Sequence, residues 1–267
     1  MNIEILCCDI DGTLVRDDKS LSEENKYWIR RLVKEKGVKF VLVSGRLLAA
    51  MKGFNEAIGI KEAVSCYNGC SFYNEDYKLI YEHRLSTEIA NKILAVSRKV
   101  GMELVFFDDT DWIIEDMNSF VYEQKLPLYM CPPVICPFEK FLEKKQTNKI
   151  IALDKDSKKI KNFKEELRKV GIDEKNTTLY LTNTFFEVMP KGYSKGTAIE
   201  DLSKYYKVDK SKIMAIGDDY NDIEMLKMAG LSIGMGNSVP EVKEIVDWIT
   251  DTNMNDGVAK AIQKYFF

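Results

Sequence analysis

Short apolar runs of strand length alternate with longer amphipathic stretches over the first 69 residues. The alternation then lapses, and it resumes after Pro190. This pattern constrains the fold more than any other feature, because strands joined by helical crossovers pair in parallel and need cover on both faces. Ile3 to Cys8 reads as a buried strand. A polar loop from Arg16 to Lys19 leads to a helix capped by Ser22, with Tyr27, Ile29, Leu32 and Val33 on its buried side and Gly37 at its end. Val38 to Val43 is a second strand, Leu47 to Ile58 a second helix stopped by Gly59, and Ala63 to Cys66 a third strand.

The middle of the chain breaks the rhythm. Ser71 to Tyr73 and Leu79 to Tyr81, joined through Asn74-Glu75-Asp76, read as a hairpin. Ile89, Ile93, Val96 and Val100 mark one helix face, and Ile160, Phe163, Leu167 and Val170 another. Leu104 to Phe107 and Trp112 to Ile114 are strands around a turn at Asp108-Asp109, with Trp112 expected in the core. Pro127, Pro132, Pro133 and Pro137 argue against one long helix or a central strand between them. Lys149 to Leu153, Leu179 to Leu181 and Phe185 to Val188 complete a set of strands around two helices. The first pattern then returns: helix Ser194 to Tyr206, with Tyr205 inward; strand Ile213 to Ile216; helix Asn221 to Met228; strand Leu231 to Ile233; and helices Val239 to Val246 and Gly257 to Phe266. The expected fold is α/β: a doubly wound parallel-sheet (Rossmann-like) core, residues 1–84 and 185–267, with an inserted α+β domain at 85–184.

Composition limits what such a chain does. A net charge of −3 argues against a surface built for nucleic acid. No apolar run approaches a membrane span and no leader-like segment opens the sequence, so a cytoplasmic protein is expected. The six cysteines make no Cys-x-x-Cys pair and read as reduced thiols, most of them in the core. The single histidine, His83, rules out a multi-histidine metal site and has no serine elbow near it, so it reads as a surface or hinge residue.

Chemistry gathers where strands end. Asp9 and Asp11 close the first strand one residue apart, ahead of Gly12-Thr13. Side chains at i and i+2 point the same way while the chain stays extended, so two anions would crowd one small volume. A divalent cation or a shared proton would relieve them. That suits a metal site, a nucleophile with an acid/base neighbour, or both. Ser44-Gly45 and Asp218-x-x-Asn221-Asp222 follow other strands, and Lys195-Gly196 opens a helix. Ligands in open parallel sheets bind beyond the carboxyl ends of the strands, so these groups converge on one crevice. A hydroxyl, a backbone N–H and an ammonium suit phosphate oxygens, and hard carboxylate oxygens suit Mg²⁺. A carboxylate can itself attack phosphorus where cations offset the repulsion.

With these motifs in place, the chain resembles the haloacid dehalogenase-like (HAD) superfamily, in its Cof-type sugar-phosphatase branch (type IIB, C2 cap). The residues that carry the resemblance are Asp9-Ile10-Asp11-Gly12-Thr13-Leu14, Val43-Ser44-Gly45-Arg46, Asn68-Gly69, Pro190-Lys191-Gly192-Tyr193-Ser194-Lys195-Gly196, Gly217-Asp218-Asp219-Tyr220-Asn221-Asp222 and Asp256-Gly257-Val258-Ala259. The resemblance implies Asp9 as nucleophile and metal ligand, and Asp11 as acid/base with its backbone carbonyl on the metal. Ser44, Gly45 and the Ile10 N–H would hold the phosphate. Lys195 would bridge phosphate and Asp9, and Asp218 would complete the Mg²⁺ site. Asn221 would contact phosphate, and Asp222 would support the metal shell or Lys195. The inserted module would be a cap that closes over the substrate. Cys70 and Ser238 stand where that family commonly has small residues such as Ala.

The expected activity is Mg²⁺-dependent hydrolysis of a small phosphorylated metabolite, plausibly a sugar phosphate, through an aspartyl-phosphate, by a monomer or weak homodimer. The rivals are a sugar-phosphate mutase, a sugar-phosphate sensor with little turnover, and a phospho-accepting signalling domain. An intact Asp11 disfavours the sensor, and the inserted module disfavours the signalling domain.

Overall fold

The computed structural model describes residues 2–108, 110–129, 131–175, 177–181 and 184–267, with 125–129 and 181 described by backbone alone. The chain begins β1 (Ile5–Cys8), α1 (Glu23–Arg31), β2 (Lys39–Val43), α2 (Leu48–Ile58), β3 (Val64–Cys66). Ser22 caps α1 by accepting from the Asn25 N–H at 3.1 Å. The helix then widens into a π turn over Leu32–Lys36 and ends at Gly37, whose φ is 67°. β4 (Ser71–Tyr73) turns back antiparallel on β3, and β5 (Leu79–Glu82) forms the sheet edge.

The middle of the chain contains α3 (Thr87–Val100), β6 (Glu103–Asp108), β7 (Asp111–Ile114), α4 (Phe120–Tyr129), β8 (Val134–Ile135), α5 (Phe138–Leu142), β9 (Ile150–Leu153), α6 (Ser157–Lys169), β10 (Thr177–Leu181) and β11 (Phe185–Pro190). The chain closes with α7 (Lys195–Tyr206), β12 (Ile213–Gly217), α8 (Ile223–Met228), β13 (Leu231–Gly234), α9 (Pro240–Lys243), β14 (Trp248–Ile249) and α10 (Gly257–Phe266).

The structure parts into two compact units. One holds Met1–Arg46, Met51–Tyr81 and Ser194–Phe267; the other holds Leu47–Ala50 and Glu82–Tyr193. The sheet of the first unit runs β14-β13-β12-β1-β2-β3-β4-β5, parallel from β14 to β3. β1 is buried throughout and lies between β12 and β2, so the two ends of the sequence meet at its flanks. That is the point where strand order reverses, and where an open α/β sheet leaves a crevice. Cys7, Val41 and Ala215 in the strands pack with Ile199, Leu202 and Met225 from the helices. The second unit has a sheet in the order β10-β11-β9-β6-β7-β8, antiparallel except where β8 joins β7. Its core sets Phe106, Ile150, Phe186 and Val188 against Ile93 of α3 and Ile160 and Phe163 of α6.

Several expectations need correction. The return to the first unit falls after Tyr193, not at 184/185, because β11 pairs with both β9 and β10 and so belongs to the second sheet. As expected, the proline-rich stretch is neither one long helix nor a central strand: the ten-residue α4 runs through Pro127 and ends at Tyr129, and Pro132 and Pro133 precede the short edge strand β8. The helix expected over 239–246 shrinks to Pro240–Lys243. Tyr27 is exposed, standing edge-on to Trp28 beneath the Arg31 guanidinium, and Tyr205 is also partly exposed. Asp108 closes β6 and is a buried ion-pair partner: Arg84 reaches it at 2.6 Å and Lys145 also binds it. Its neighbour Asp109 lies outside the described residues. Trp112 is buried as expected, and its indole N–H donates to the Cys131 carbonyl at 2.9 Å. All six cysteines are free thiols, with Cys131 and Cys136 partly exposed. His83 stacks on Tyr193, ring centres 3.7 Å apart. Among the described residues, no helix is long and apolar enough to cross a membrane.

Candidate active site

Register alone brings the first carboxylates together. Cys8 of β1 pairs with Ile216 of β12, so the next residues out, Asp9 and Gly217-Asp218, leave the sheet side by side. Lys195 arrives as the first residue of α7, after Ser194 caps the helix by accepting from the Gly196 N–H at 3.1 Å. An ammonium there opposes the helix dipole. It is held by two carboxylates: Lys195 Nζ donates to Asp9 Oδ1 at 2.6 Å and to Asp222 Oδ1 at 2.7 Å. Lys195, Asp9 and Asp222 are all buried.

Asp222 is fixed before it meets the lysine. Its Oδ2 accepts the backbone N–H groups of Asp218 and Asp219 at 2.9 and 3.1 Å, within a capping box that opens the short turn before α8. Both of its oxygens are therefore engaged. Asp218 accepts from the Thr13 hydroxyl through Oδ1 at 2.6 Å. Gly12 lies against it with φ +81°, and a Cβ there would come within 2.2 Å of Asp218 Oδ2. The glycine is thus required both by the left-handed turn and by the closeness of the carboxylate.

The ligand oxygens of Asp9, Asp218 and Asp222 lie within 4.8 Å of one another. Three carboxylates face one ammonium. Burial, then repulsion from Asp222, raises Asp9 well above the usual carboxylate range, against the pull of Lys195. Burial pushes Asp218 up to about 7, with the Thr13 bond opposing and Asp222 adding to it. Burial disfavours the Lys195 cation, but the charges of Asp222 and Asp9 outweigh it and hold the ammonium protonated. Fully ionised, the three carboxylates would outnumber the one ammonium, and that excess is what pushes Asp9 and Asp218 toward the protonated form in the absence of a further cation. Asp9 Oδ2 and Asp218 Oδ2 accept nothing from the described residues. Hard, open oxygens with surplus negative charge fit a small divalent cation that keeps several waters.

Asp11 stands apart from this cluster. Its carboxylate takes the Arg46 guanidinium through a two-bond fork, Nε to Oδ2 and Nη2 to Oδ1, each 2.7 Å, and Lys19 Nζ at 2.9 Å. Partial burial raises its pKa, but the bonds and charges of Arg46 and Lys19 prevail and hold the carboxyl well below the usual range. Among the expected metal ligands, Asp11 is thus the one whose side chain the structure does not bring to the others. The chain turns at Asp11 instead of staying extended: the Thr13, Leu14 and Val15 N–H groups all return to the Ile10 carbonyl.

Ser44 and Ile10 are buried. The Ser44 hydroxyl accepts from the Arg46 N–H at 3.4 Å. Asn221 donates to Asn68 Oδ1 at 3.4 Å, and Gly45 lies against the same Asn68 carboxamide. Thr13, Arg46 and Asn68 stand inside the strand-end motifs without an evident part of their own, and Lys19 stands in a polar loop. Pairings at separations of 205 and 35 residues, such as Thr13–Asp218 and Arg46–Asp11, leave no local signal.

A buried lysine between strand-end carboxylates, at the reversal point of a doubly wound sheet, makes a site suited to charged-oxygen chemistry. Comparison with known proteins makes this specific. The family model for haloacid dehalogenase-like hydrolases matches residues 6–262, and the chain belongs to that family. It is similar to 5-amino-6-(5-phospho-D-ribitylamino)uracil phosphatase YcsE of Bacillus subtilis, 30% identical, across 99% of this chain and 96% of the relative. It is also similar to the YitU phosphatase of the same name from that organism, 25% identical over 98% and 97%. Among solved structures, a haloacid dehalogenase-like hydrolase from Bacteroides thetaiotaomicron superposes with a TM-score of 0.90 at 25% identity, over 99% of this chain and all of that one. The chain is a phosphatase of this family.

Proposed function

We propose that this phosphatase hydrolyses a small phosphomonoester carried on a sugar or polyol, with Asp9 as the nucleophile. The observation that carries the reading is the Lys195 bridge. The ammonium fixes Asp9 Oδ1 at 2.6 Å and leaves Oδ2 open. The open oxygen attacks phosphorus, the bond to the leaving oxygen breaks, and an aspartyl-phosphate forms. Water then attacks that phosphorus, phosphate leaves, and Asp9 is restored. Lys195 offsets the negative charge gathering on the phosphoryl oxygens.

Asp11 serves as the acid/base. Arg46 and Lys19 hold it as a carboxylate, the form that takes the proton of the attacking water in the second step. To act as acid on the leaving oxygen in the first step, Asp11 must already carry a proton, taken from solvent or left by the water of the previous turnover, and that requires one of these two cations to loosen. Lys19 is the more exposed, its side chain 48% accessible against 8% for Arg46. Ser44, Gly45, the Ile10 N–H and Asn221 hold the phosphoryl oxygens. Asp9 and Asp218, with the Asp11 carbonyl, would hold Mg²⁺, and Asp222 would steady Lys195 and the Asp218 loop. The cation would supply charge neutralisation for two anions brought together.

Residues 82–193 are assigned as the cap that selects the leaving group. The names of the two Bacillus subtilis relatives make a phosphorylated ribityl compound the first substrate to try, beside hexose phosphates. The test is phosphate release across such a panel with Mg²⁺ and again after chelation. The reading expects release that chelation stops and Mg²⁺ restores. Isomerised hexose phosphate in place of free phosphate, or activity indifferent to chelation, would count against it.

A further inference from the structure

The motif Asn68-Gly69 has no part in the chemistry above, yet its backbone is the most unusual in the first unit. Tyr67, Asn68 and Gly69 follow one another with φ of 53°, 53° and 88°. Two successive non-glycine residues in the left-handed region are rare, and such strain persists only where the surroundings fix it. The fixing contacts are present. The Asn68 N–H donates to the Ser44 carbonyl at 2.9 Å, and the Tyr67 N–H to the Arg46 carbonyl at 3.3 Å. On the other side, a Cβ at Gly69 would come within 2.1 Å of the Ser194 carbonyl, so the turn lies directly against the start of the helix that carries Lys195. The turn is wedged between the Ser44–Arg46 loop and the root of α7.

The wedge aims one side chain. Asn68 is 7% exposed. Its carboxamide lies flat over Gly45, where a Cβ would meet Nδ2 and Oδ1 at 3.2 Å each. Its Oδ1 also faces the Asn221 amide at 3.4 Å. Gly45 comes from the N-terminal half of the sheet and Asn221 from the C-terminal half.

Resting on the reading of this site as a phosphate site, we propose that Asn68 is a positioning residue that sets the spacing between its two halves. Its carboxamide seats the Ser44-Gly45 loop and the Asn221 amide against each other, so that both reach the same phosphoryl group. Asparagine suits the task because it tolerates left-handed backbone and offers both a donor and an acceptor.

The experiment compares wild type, Asn68→Gly, Asn221→Ala and the double variant. It reads the rise in Tm that inorganic phosphate gives with Mg²⁺ present, and kcat and KM for phosphate release. Asn68→Gly keeps the left-handed turn and removes the carboxamide. It should weaken phosphate binding about 3- to 10-fold, the loss of one or two neutral hydrogen bonds. Asn221→Ala should do the same, and the double variant should be no worse than the poorer single one, because the two residues act as a unit. Losses that multiply in the double variant would overturn the proposal, as would phosphate binding unchanged in Asn68→Gly. Should Asn68→Gly fail to fold, Asn68→Asp decides: it keeps shape and turn but places an anion by the phosphate, so it should lose more than tenfold, and wild-type binding in it would overturn the assignment. A wild type that neither binds phosphate nor releases it would sink the underlying reading of the site. A competent wild type with indifferent variants would sink only the role of Asn68.

Discussion

Each unit of the molecule buries a lysine in an ion pair, and the two pairs differ in kind. In the second unit Lys149 meets Glu187 at 3.2 Å, both side chains under 10% exposed, with the ammonium 4.9 Å from the centre of the Phe107 ring. There the ammonium meets a carboxylate carried by one of the antiparallel strands. In the first unit Lys195 faces Asp9 and Asp222, with Asp218 beside them. That arrangement sits at the ends of parallel strands, and its three carboxylates, once ionised, outnumber the one ammonium. A balanced buried pair is held by its own geometry and asks for nothing further. An unbalanced one stores a demand for positive charge, which a cation or an electrophilic phosphoryl group can meet. On the proposed reading, the contrast is between a lysine that serves the fold and one that serves the chemistry.

The sharpest way to break the comparison is at the nucleophile. Asp9→Asn should lower turnover by at least about 10³-fold while the protein stays folded, since the fault lies in chemistry rather than packing. Phosphate release near the wild-type rate would remove Asp9 from its role. Lys195→Met should cost about 10²–10³-fold in kcat, the scale of losing a preorganised charge at the reacting centre. Lys149→Met should destabilise the fold by about 3 kcal/mol, as loss of a buried ion-pair partner does, and Lys195→Met should also cost stability, but only the Lys195 variant should lose chemistry. The folded fraction of Lys149→Met should keep turnover within a few-fold of wild type. Denaturant unfolding and steady-state kinetics on the same two variants read the distinction, and it fails if turnover falls alike in both.

The smallest expected effect concerns a buried carboxyl. Glu62 is 8% exposed, and among the described residues its Oε2 has no hydrogen-bond partner and no cation lies at bonding distance. Burial raises its pKa from 4.5 to about 7, with Lys39 opposing and Glu75 reinforcing the shift. A pKa higher in the folded state means that the fold binds the extra proton. Stability is therefore full below the unfolded value and falls as pH rises through about 7. Glu62→Gln should flatten that fall and gain about 1–2 kcal/mol at pH 8, less than the full shift because solvent reaches part of the group. An unfolding profile between pH 5 and pH 8 that is the same in both proteins would show that Glu62 does not titrate there.

The sheet of the first unit was legible because parallel strands buried on both faces are written as continuous apolar runs, and Ile3 to Cys8 is one. The strand-end residues followed from it: once β1 sits beside β12, Asp9 must stand near Asp218. The second unit was less legible. β11 lies immediately before the returning helix, and only its pairing with β9 and β10 shows where it belongs. α4 carries a proline within it, which a local reading takes as a break. The direction of the Asp11 side chain was hard to read for a related reason. Extended geometry would have turned it toward Asp9, but the chain turns there and Arg46, far along the sequence, captures the carboxylate.

The central claim is that a protein carboxylate, and not water, first attacks phosphorus. The stereochemical course at a phosphorus made chiral by isotopes and sulfur tests it most directly, with the wild-type enzyme in labelled water. Two displacements, one by Asp9 and one by water, predict net retention of configuration. Inversion would mean a single direct attack by water, and would contradict the account.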